Sequence, residues 1–400
     1  MRGKTGVVVA VALILVTGAF AAAAAAKGNH KPSVTFTTLY NFTGGSSDGG
    51  FVFGQPIVDN KGNIFGTAES GGANGYGTVW ELSGSTISVL HSFGYSDGAY
   101  PYVGVTPNNG NLVGTTYYGG SADYGTLFSI NKKSGTFSPL YNFGSQSGDP
   151  EYIFGDAVPD PSGNWYGAGE EGGADGVGAL WEVNSSGTET VLYSFTGGTD
   201  GAYPFLANLH RDKAGDLFGV AESGGSGGCG TLYEFSAGGT FSVLHSFNCG
   251  SDGGYPTGNV FEYKGSLYGV AQEDGASGYG TVWQYTISSS TFTVLHSFAG
   301  TDGEYPLGGV SCQEGKTTVC AGNLFGTTVE GGSGGYGTVW EIDSSGTFTT
   351  LHNFAESDGA YCYSRPFVTK AGKLYGTTYY GGSSSYGTVW EITGAKAHSR

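Results

Sequence analysis

Charge is scarce in this chain: only 12% of its 400 residues are Asp, Glu, Lys or Arg. Basic residues are scarcer still, 16 against 33 acidic, and the resulting net charge of −17 argues against nucleic acid or an anionic membrane as a partner. The G-x-S-x-G elbow, the H-E-x-x-H pair and any cysteine–histidine signature are all missing, so no catalytic residue is assigned. No metal or cofactor is assigned either, because the Asp-Gly loops offer one Asp each, far from the roughly six to eight oxygens that Ca²⁺ requires. What abounds is glycine, 77 residues, with 27 Tyr and 24 Phe. Such a composition disfavours helix. The glycines stand at fixed offsets among aromatic and β-branched residues, which is a turn-and-strand pattern rather than a disordered one.

Residues 1–26 carry Arg2 and Lys4, an apolar run from Val7 to Phe20 and six alanines, the layout of a secretory signal peptide. The run is short for a membrane span, and no cysteine follows it to carry a lipid, so no span remains after cleavage. Residues 27–33 form a short segment, residues 34–393 a single repeat domain, and residues 394–400 a tail. The product is expected outside the cytoplasm, in the periplasm or the medium, as a monomer.

From Val34 onward one unit recurs seven times. Its L-[HY]-[SN]-F element ends at Phe42, Phe93, Phe143, Phe195, Phe247, Phe298 and Phe354, and its G-[TA]-[VL]-[WFY] element starts at Gly77 and returns through Gly387. A period of about 51 with a double glycine at its middle points to propeller blades rather than helical solenoids. Each unit holds four strand-like runs, in the second unit roughly Tyr100 to Thr106, Asn111 to Tyr117, Tyr124 to Asn131 and Thr136 to Phe143. The chain opens on a lone strand, Thr35 to Phe42, and closes after a third one. An all-β, seven-bladed propeller of four antiparallel strands per blade is therefore expected, with the N-terminal strand completing the last blade and closing the ring.

The LHSF, DGAYP, GNLFGT, GG and YGTVW elements together resemble the GloVer tandem repeat of exported bacterial proteins, which often carry a C-terminal anchor. The resemblance spans Val34 to Ile392. It implies export and a repeat fold, and it carries over no catalytic residue. Only TGAKAHSR follows Ile392, which departs from the anchored pattern.

Strand order sends the loops linking blades and the double-glycine loops to one face. That face receives Asp48, Asp97, Asp200, Asp252, Asp302 and Asp358, whose simplest role is to cap turn N–H groups. It also receives Glu69, Glu170, Glu171, Glu222, Glu273, Asp274 and Glu330, with Tyr117, Tyr118, Tyr379 and Tyr380. The opposite face takes most of the lysines and Arg211. His91, His245, His296 and His352 share a slot with Tyr40, Tyr141 and Tyr193, so they read as packing residues with a polar tip. Trp80, Trp181, Trp283, Trp340 and Trp390 share another and are placed between blades.

The loop carboxylates and tyrosines are the candidate ligand-binding residues: rings stack on sugars while carboxylates accept hydroxyl hydrogen bonds. Glycans are thus the leading partner and extracellular proteins the next, with a structural envelope role or a hydrolase or lyase site at the channel mouth behind them. His210, Arg211 and Arg365 are the non-repeated polar residues near inner strands, but the first two fall at the far end of theirs. Cys229 with Cys249 and Cys312 with Cys320 read as disulfides, leaving Cys362 as a buried thiol.

Overall fold

The computed structural model describes residues 34–314 and 320–395, with the side chains of residues 313, 314, 320 and 321 left aside. The leader, residues 27–33, Lys316 and residues 396–400 lie outside the described residues. Seven four-stranded antiparallel sheets succeed one another along the described chain. The first blade runs Ile57–Val58, Ile64–Ala68, Thr78–Ser83 and Thr86–Ser92 from the inside outward. The last runs Phe367–Val368, Leu374–Thr378 and Thr388–Thr393, and its outer strand is Thr35–Asn41, paired antiparallel with Thr388–Thr393. No α-helix occurs among the described residues, and none of their helices is long and apolar enough to cross a membrane.

The middle of each blade is built on one cross-strand pair. Gly66 faces Trp80, Gly167 faces Trp181, Gly269 faces Trp283, Gly326 faces Trp340 and Gly376 faces Trp390, while Phe128 and Tyr233 take the aromatic place opposite Gly114 and Gly219. The large ring folds back over its glycine. A Cβ at Gly269 would come within 2.3 Å of Trp283, and at Gly376 within 2.1 Å of Trp390, closer than carbon atoms approach. Only glycine leaves the recess the ring needs.

Each ring then meets the phenylalanine that ends the preceding blade's outer strand. The seven centroid distances, from Phe42–Trp80 through Phe354–Trp390, run from 5.0 to 6.1 Å. These phenylalanines and tryptophans are fully buried. Nearer the axis, Thr67, Thr115, Thr327 and Thr377 donate to the carbonyls of Val103, Gly155, Ser364 and Gly54 in the segments that lead into the next inner strands. The last of these joins the seventh blade to the first.

The His/Tyr slot and the linking-loop Asp form one device. The Nε2 of His91, His245, His296 and His352 faces the carboxylate of Asp97, Asp252, Asp302 and Asp358 at 2.8–3.1 Å. The Tyr40, Tyr141 and Tyr193 hydroxyls donate to Asp48, Asp149 and Asp200 in the same way. The carboxylates also cap the turn, accepting the N–H of Gly94, Ala299 and Ala355 at 2.7–2.9 Å. Each of the four imidazoles lies flat on a phenylalanine of the next blade, as His296 does on Phe348 at 3.7 Å. Asp149 does the same work in a loop that lacks the Asp-Gly order, which is why the sequence pattern passes it over.

Outside the fifth blade, whose inner strand runs Gly254–Tyr263, inner strands are shorter than their sequence suggests. In the second blade regular pairing covers Thr106–Asn108 rather than beginning at Tyr100. Residues Phe51, Tyr100, Tyr152, Tyr203, Tyr255, Tyr305 and Tyr361 all take φ of 52–60°, a left-handed turn unusual for aromatic residues. Beyond it neighbouring backbones crowd together: a Cβ on Gly54 would lie 2.4 Å from Gly104 N.

The Cys229–Cys249 disulfide is present. Cys312 is disulfide-bonded, but the side chain of its expected partner, Cys320, lies outside the described residues. Cys362 is a free, buried thiol whose pKa burial pushes well up.

This packing makes two testable demands. Gly269→Ala must displace Trp283, and overpacking of this kind costs about 1–3 kcal/mol, so a melting curve should show Tm lowered by roughly 1–4 °C. Burial lowers the pKa of all four slot histidines despite their carboxylate partners. Below the ordinary histidine pKa of about 6.5 the unfolded chain takes up protons first, so stability is lost as pH falls. Tyrosine already fills this slot in three blades. The quadruple His91→Tyr, His245→Tyr, His296→Tyr, His352→Tyr variant should therefore lose less Tm between pH 7 and 5 than the parent.

Candidate functional site

The face formed by the linking and double-glycine loops is shaped by glycine at close quarters. Gly119 has φ of 77°, and a Cβ there would sit 2.2 Å from the Tyr95 carbonyl of the linking loop. Ala99 pairs with Tyr118 and Ala360 with Tyr380 across the same contact. The two residues before each glycine pair are thereby fixed in direction.

The first of the two meets the neighbouring blade. Tyr379 donates to Glu69 at 2.6 Å from the seventh blade to the first, and Tyr117 to Glu170 at 3.0 Å from the second to the third. Gln272 donates to Glu222 at 2.9 Å from the fifth to the fourth, and Tyr102 adds a longer contact to Glu69 at 3.4 Å. Five of the ten candidate residues are thus hydrogen-bonded across blade seams. Their variation from repeat to repeat is complementary: where one blade carries a carboxylate, a neighbour carries a donor. Burial pushes Glu69, Glu170 and Glu222 upward, Glu170 to about 7, with the Tyr117 hydroxyl holding Glu170 back and Glu171 and Glu222 adding to the rise.

The second residue points outward. Tyr380 is 41% exposed, and Glu171, Glu273 and Glu330 are exposed, while Tyr118 is half-buried. Together the tyrosines build the same well twice. At one seam Phe51 stands 5.2 Å from Tyr379, 5.1 Å from Tyr380 and 5.2 Å from Tyr386. At the other Tyr152 stands 5.2 Å from Tyr117, 5.4 Å from Tyr118 and 5.3 Å from Tyr124. Glu69 accepts from Tyr379 of the first well and Glu170 from Tyr117 of the second. The structure therefore joins the predicted tyrosines with rings that the sequence alone does not single out. The signal that could have found them is a shared position in the repeat: Phe51 and Tyr152 are the left-handed residues of their blades.

Between the wells the axis is filled. Phe53, Phe154, Leu206, Leu307 and Val329 form a buried plug, with Phe53 stacked on Tyr363 at 4.4 Å and Phe154 on Phe205 at 4.9 Å. On the opposite face a cavity of about 1430 Å³ opens among the turns after the inner strands, and His210, Arg211 and Arg365 all line it. The sequence-based placement keeps these three apart; the structure brings them together. Among the described residues, the one trio of potential metal-ligating atoms close together is Cys229, Cys249 and Asp274, and its sulfurs are joined in the disulfide.

Strand order and pairing define a seven-bladed β-propeller. The chain belongs to the family described as the Gloeobacter/Verrucomicrobia repeat, which matches residues 29–158 and 149–321. No curated protein matches it. Among solved structures, an oligogalacturonate lyase in complex with manganese aligns over 90% of this chain and 96% of its own, at TM-score 0.53 and 12% identity. The oligogalacturonate lyase of Vibrio parahaemolyticus aligns over 90% and 97%, at TM-score 0.54 and 8% identity. TolB from Acinetobacter baumannii (TM-score 0.45, 11% identity) aligns over 72% of this chain, which spans 62% of TolB. At these identities the likeness is one of fold.

The half-buried Glu170 carboxylate sets a testable pH response. With the Glu170 pKa raised to about 7, the folded state holds a proton that the unfolded state releases near 4.5, so this residue makes stability fall as pH rises between the two. Glu170→Gln keeps an acceptor for Tyr117 without the charge. Melting curves from pH 5 to 8 should show a decline shallower than the parent's by roughly 1–3 °C, whereas Tyr117→Phe should make it steeper.

Proposed function

We propose that this protein is an exported, non-catalytic binding module that takes carbohydrate on its linking-loop face, at the two tyrosine wells. The observation that carries the reading is the duplication, at two seams, of one four-ring arrangement with a half-buried carboxylate bonded to it. Aromatic faces offer the apolar platform that the C–H side of a sugar ring packs against, and nearby Glu171 and Glu330 offer acceptors for its hydroxyls. Export is supported by the leader pattern of residues 1–26 and by the Cys229–Cys249 disulfide, which suits an oxidising compartment. Two structural neighbours are named for a carbohydrate substrate, which agrees with this ligand class.

Two similar wells on one ring favour extended or repeated glycans, since a second contact on the same chain adds avidity. A glycan array probed with the mature protein should show selective binding. Tyr118→Ala or Tyr380→Ala alone should weaken it severalfold, and the double variant by tenfold or more at unchanged Tm. A blank array from folded protein, or binding indifferent to both substitutions, would remove carbohydrate and turn the search to extracellular protein partners.

A further inference from the structure

The repeat breaks at one position beside the axis. Four residues after the left-handed aromatic of the inner segment, or five in the fourth blade, stand Gln55, Asp156, Asn208, Asn259 and Arg365, with glycine in the other two blades. Two of the five side chains are used within the protein: Gln55 Nε2 donates to the Pro366 carbonyl at 3.1 Å, and Asn208 Oδ1 accepts from Asp156 N at 2.5 Å. Three others keep a buried polar atom without a hydrogen-bond partner among the described residues: Asp156 Oδ1, Asn259 Oδ1 and Arg365 Nη1. Each such atom costs about 1–3 kcal/mol, and here they come from the third, fifth and seventh blades, round a single axis. Arg365 is half-buried at the axis, where burial disfavours its charge and Asp156 favours it.

Arg365 and Asn259 belong to the lining of the cavity of about 1430 Å³ on the face opposite the wells. The same lining carries His210, whose Nε2 is also unpartnered and stands 4.0 Å from Glu262. Towards the wells the axis narrows to about 20 Å³ beside Phe53, Asp156 and Arg365, roughly the space of one water. The cavity is a blind pouch with a guanidinium at its end. Its lining holds five Lys and Arg against four Asp and Glu, in a chain where acidic residues outnumber basic ones 33 to 16. The local field is thus far less hostile to an anion than the rest of the surface.

We infer that this cavity binds a small hydroxylated carboxylate, a sugar acid, with its carboxylate on Arg365 and its hydroxyls on Asn259 Oδ1 and the His210 wall. Guanidinium groups pair with carboxylates through parallel N–H bonds, and Arg365 has one nitrogen in need of an acceptor. Asn259 Oδ1 needs a donor, and it sits two blades away from Arg365. A sugar acid carries donors at a distance from its carboxylate. Glycine does not, because its one donor group, the ammonium, adjoins the carboxylate. This site lies on the face opposite the tyrosine wells, so neither reading depends on the other.

Isothermal titration of the mature protein with D-glucuronate, with glucose as the neutral control and glycine as the zwitterionic one, provides the test. Saturable binding of glucuronate at least tenfold tighter than glucose or glycine is expected. Arg365→Gln should lower that affinity tenfold or more, and His210→Ala about threefold with unchanged Tm. If Arg365→Gln does not fold, the His210→Ala result decides. No saturable glucuronate binding, equal or tighter binding of glucose or glycine, or undiminished affinity in every folded variant would overturn the inference.

Discussion

Everything in this propeller hangs on an aromatic ring laid over a glycine. The third strand of each blade must place a Trp, Phe or Tyr where the phenylalanine closing the previous blade can press against it, and the ring reaches that place only by lying across the neighbouring strand. A side chain on that strand would occupy the same space. The glycine is therefore as necessary as the ring, although glycine inside a strand otherwise weakens it. An aromatic pair contributes about 0.5–1.5 kcal/mol beyond the area it buries. Repeated at seven seams, this is on the order of 4–10 kcal/mol, comparable to the whole net stability of an ordinary domain.

The same seams are tied at two further radii. Outside, the slot residue and its Asp fix the linking loop while the imidazole or phenol packs against the next blade; inside, threonine hydroxyls reach the segment that leads into the adjacent inner strand. In the third blade Glu189 stands where most others present phenylalanine, and burial pushes its pKa to about 7. These positions repeat because seven seams pose one packing problem. Residues that refuse to repeat, and do not compensate for one another, are consequently the better guide to what the protein recognises.

That distinction explains how much could be read from the chain. Phe42, Trp80 and Gly66 are legible because each recurs with a constant period, and their repetition gives blade number, strand number and the two faces. The pairing of Cys229 with Cys249 is legible from the hairpin between them. The bond from Tyr117 to Glu170 is not, since its partners belong to different repeats 53 residues apart and each looks like free loop variation. The polar collar was hidden for a related reason. Placing Asp156, Asn259 and Arg365 around one axis requires the left-handed turn at the preceding aromatic residues, and aromatic side chains rarely adopt that conformation. In the third and seventh blades sequence propensity therefore extends the inner strand through the turn and misplaces Asp156 and Arg365 beyond it.

The two faces differ in what they can hold, and the plug is the reason. Phe53, Phe154, Phe205 and Tyr363 fill the axis from the linking-loop side, so that face presents shallow wells at the seams instead of a mouth. A shallow well binds well only when its walls are already in place, because freezing long side chains costs about 0.5–1.5 kcal/mol each. Tyr117 and Tyr379 are held beforehand by Glu170 and Glu69, and Phe51 and Tyr152 by the backbone turn they occupy. The loops that carry Tyr118 and Tyr380 are locked by glycines lying against the linking loop. By sealing the axis, the plug also isolates Arg365 from the strongly acidic loop face above it. The Arg365 guanidinium stands between Asp156 and the pouch, so one filled axis produces both a rigid aromatic surface and a separate, cation-ended cavity on the other face.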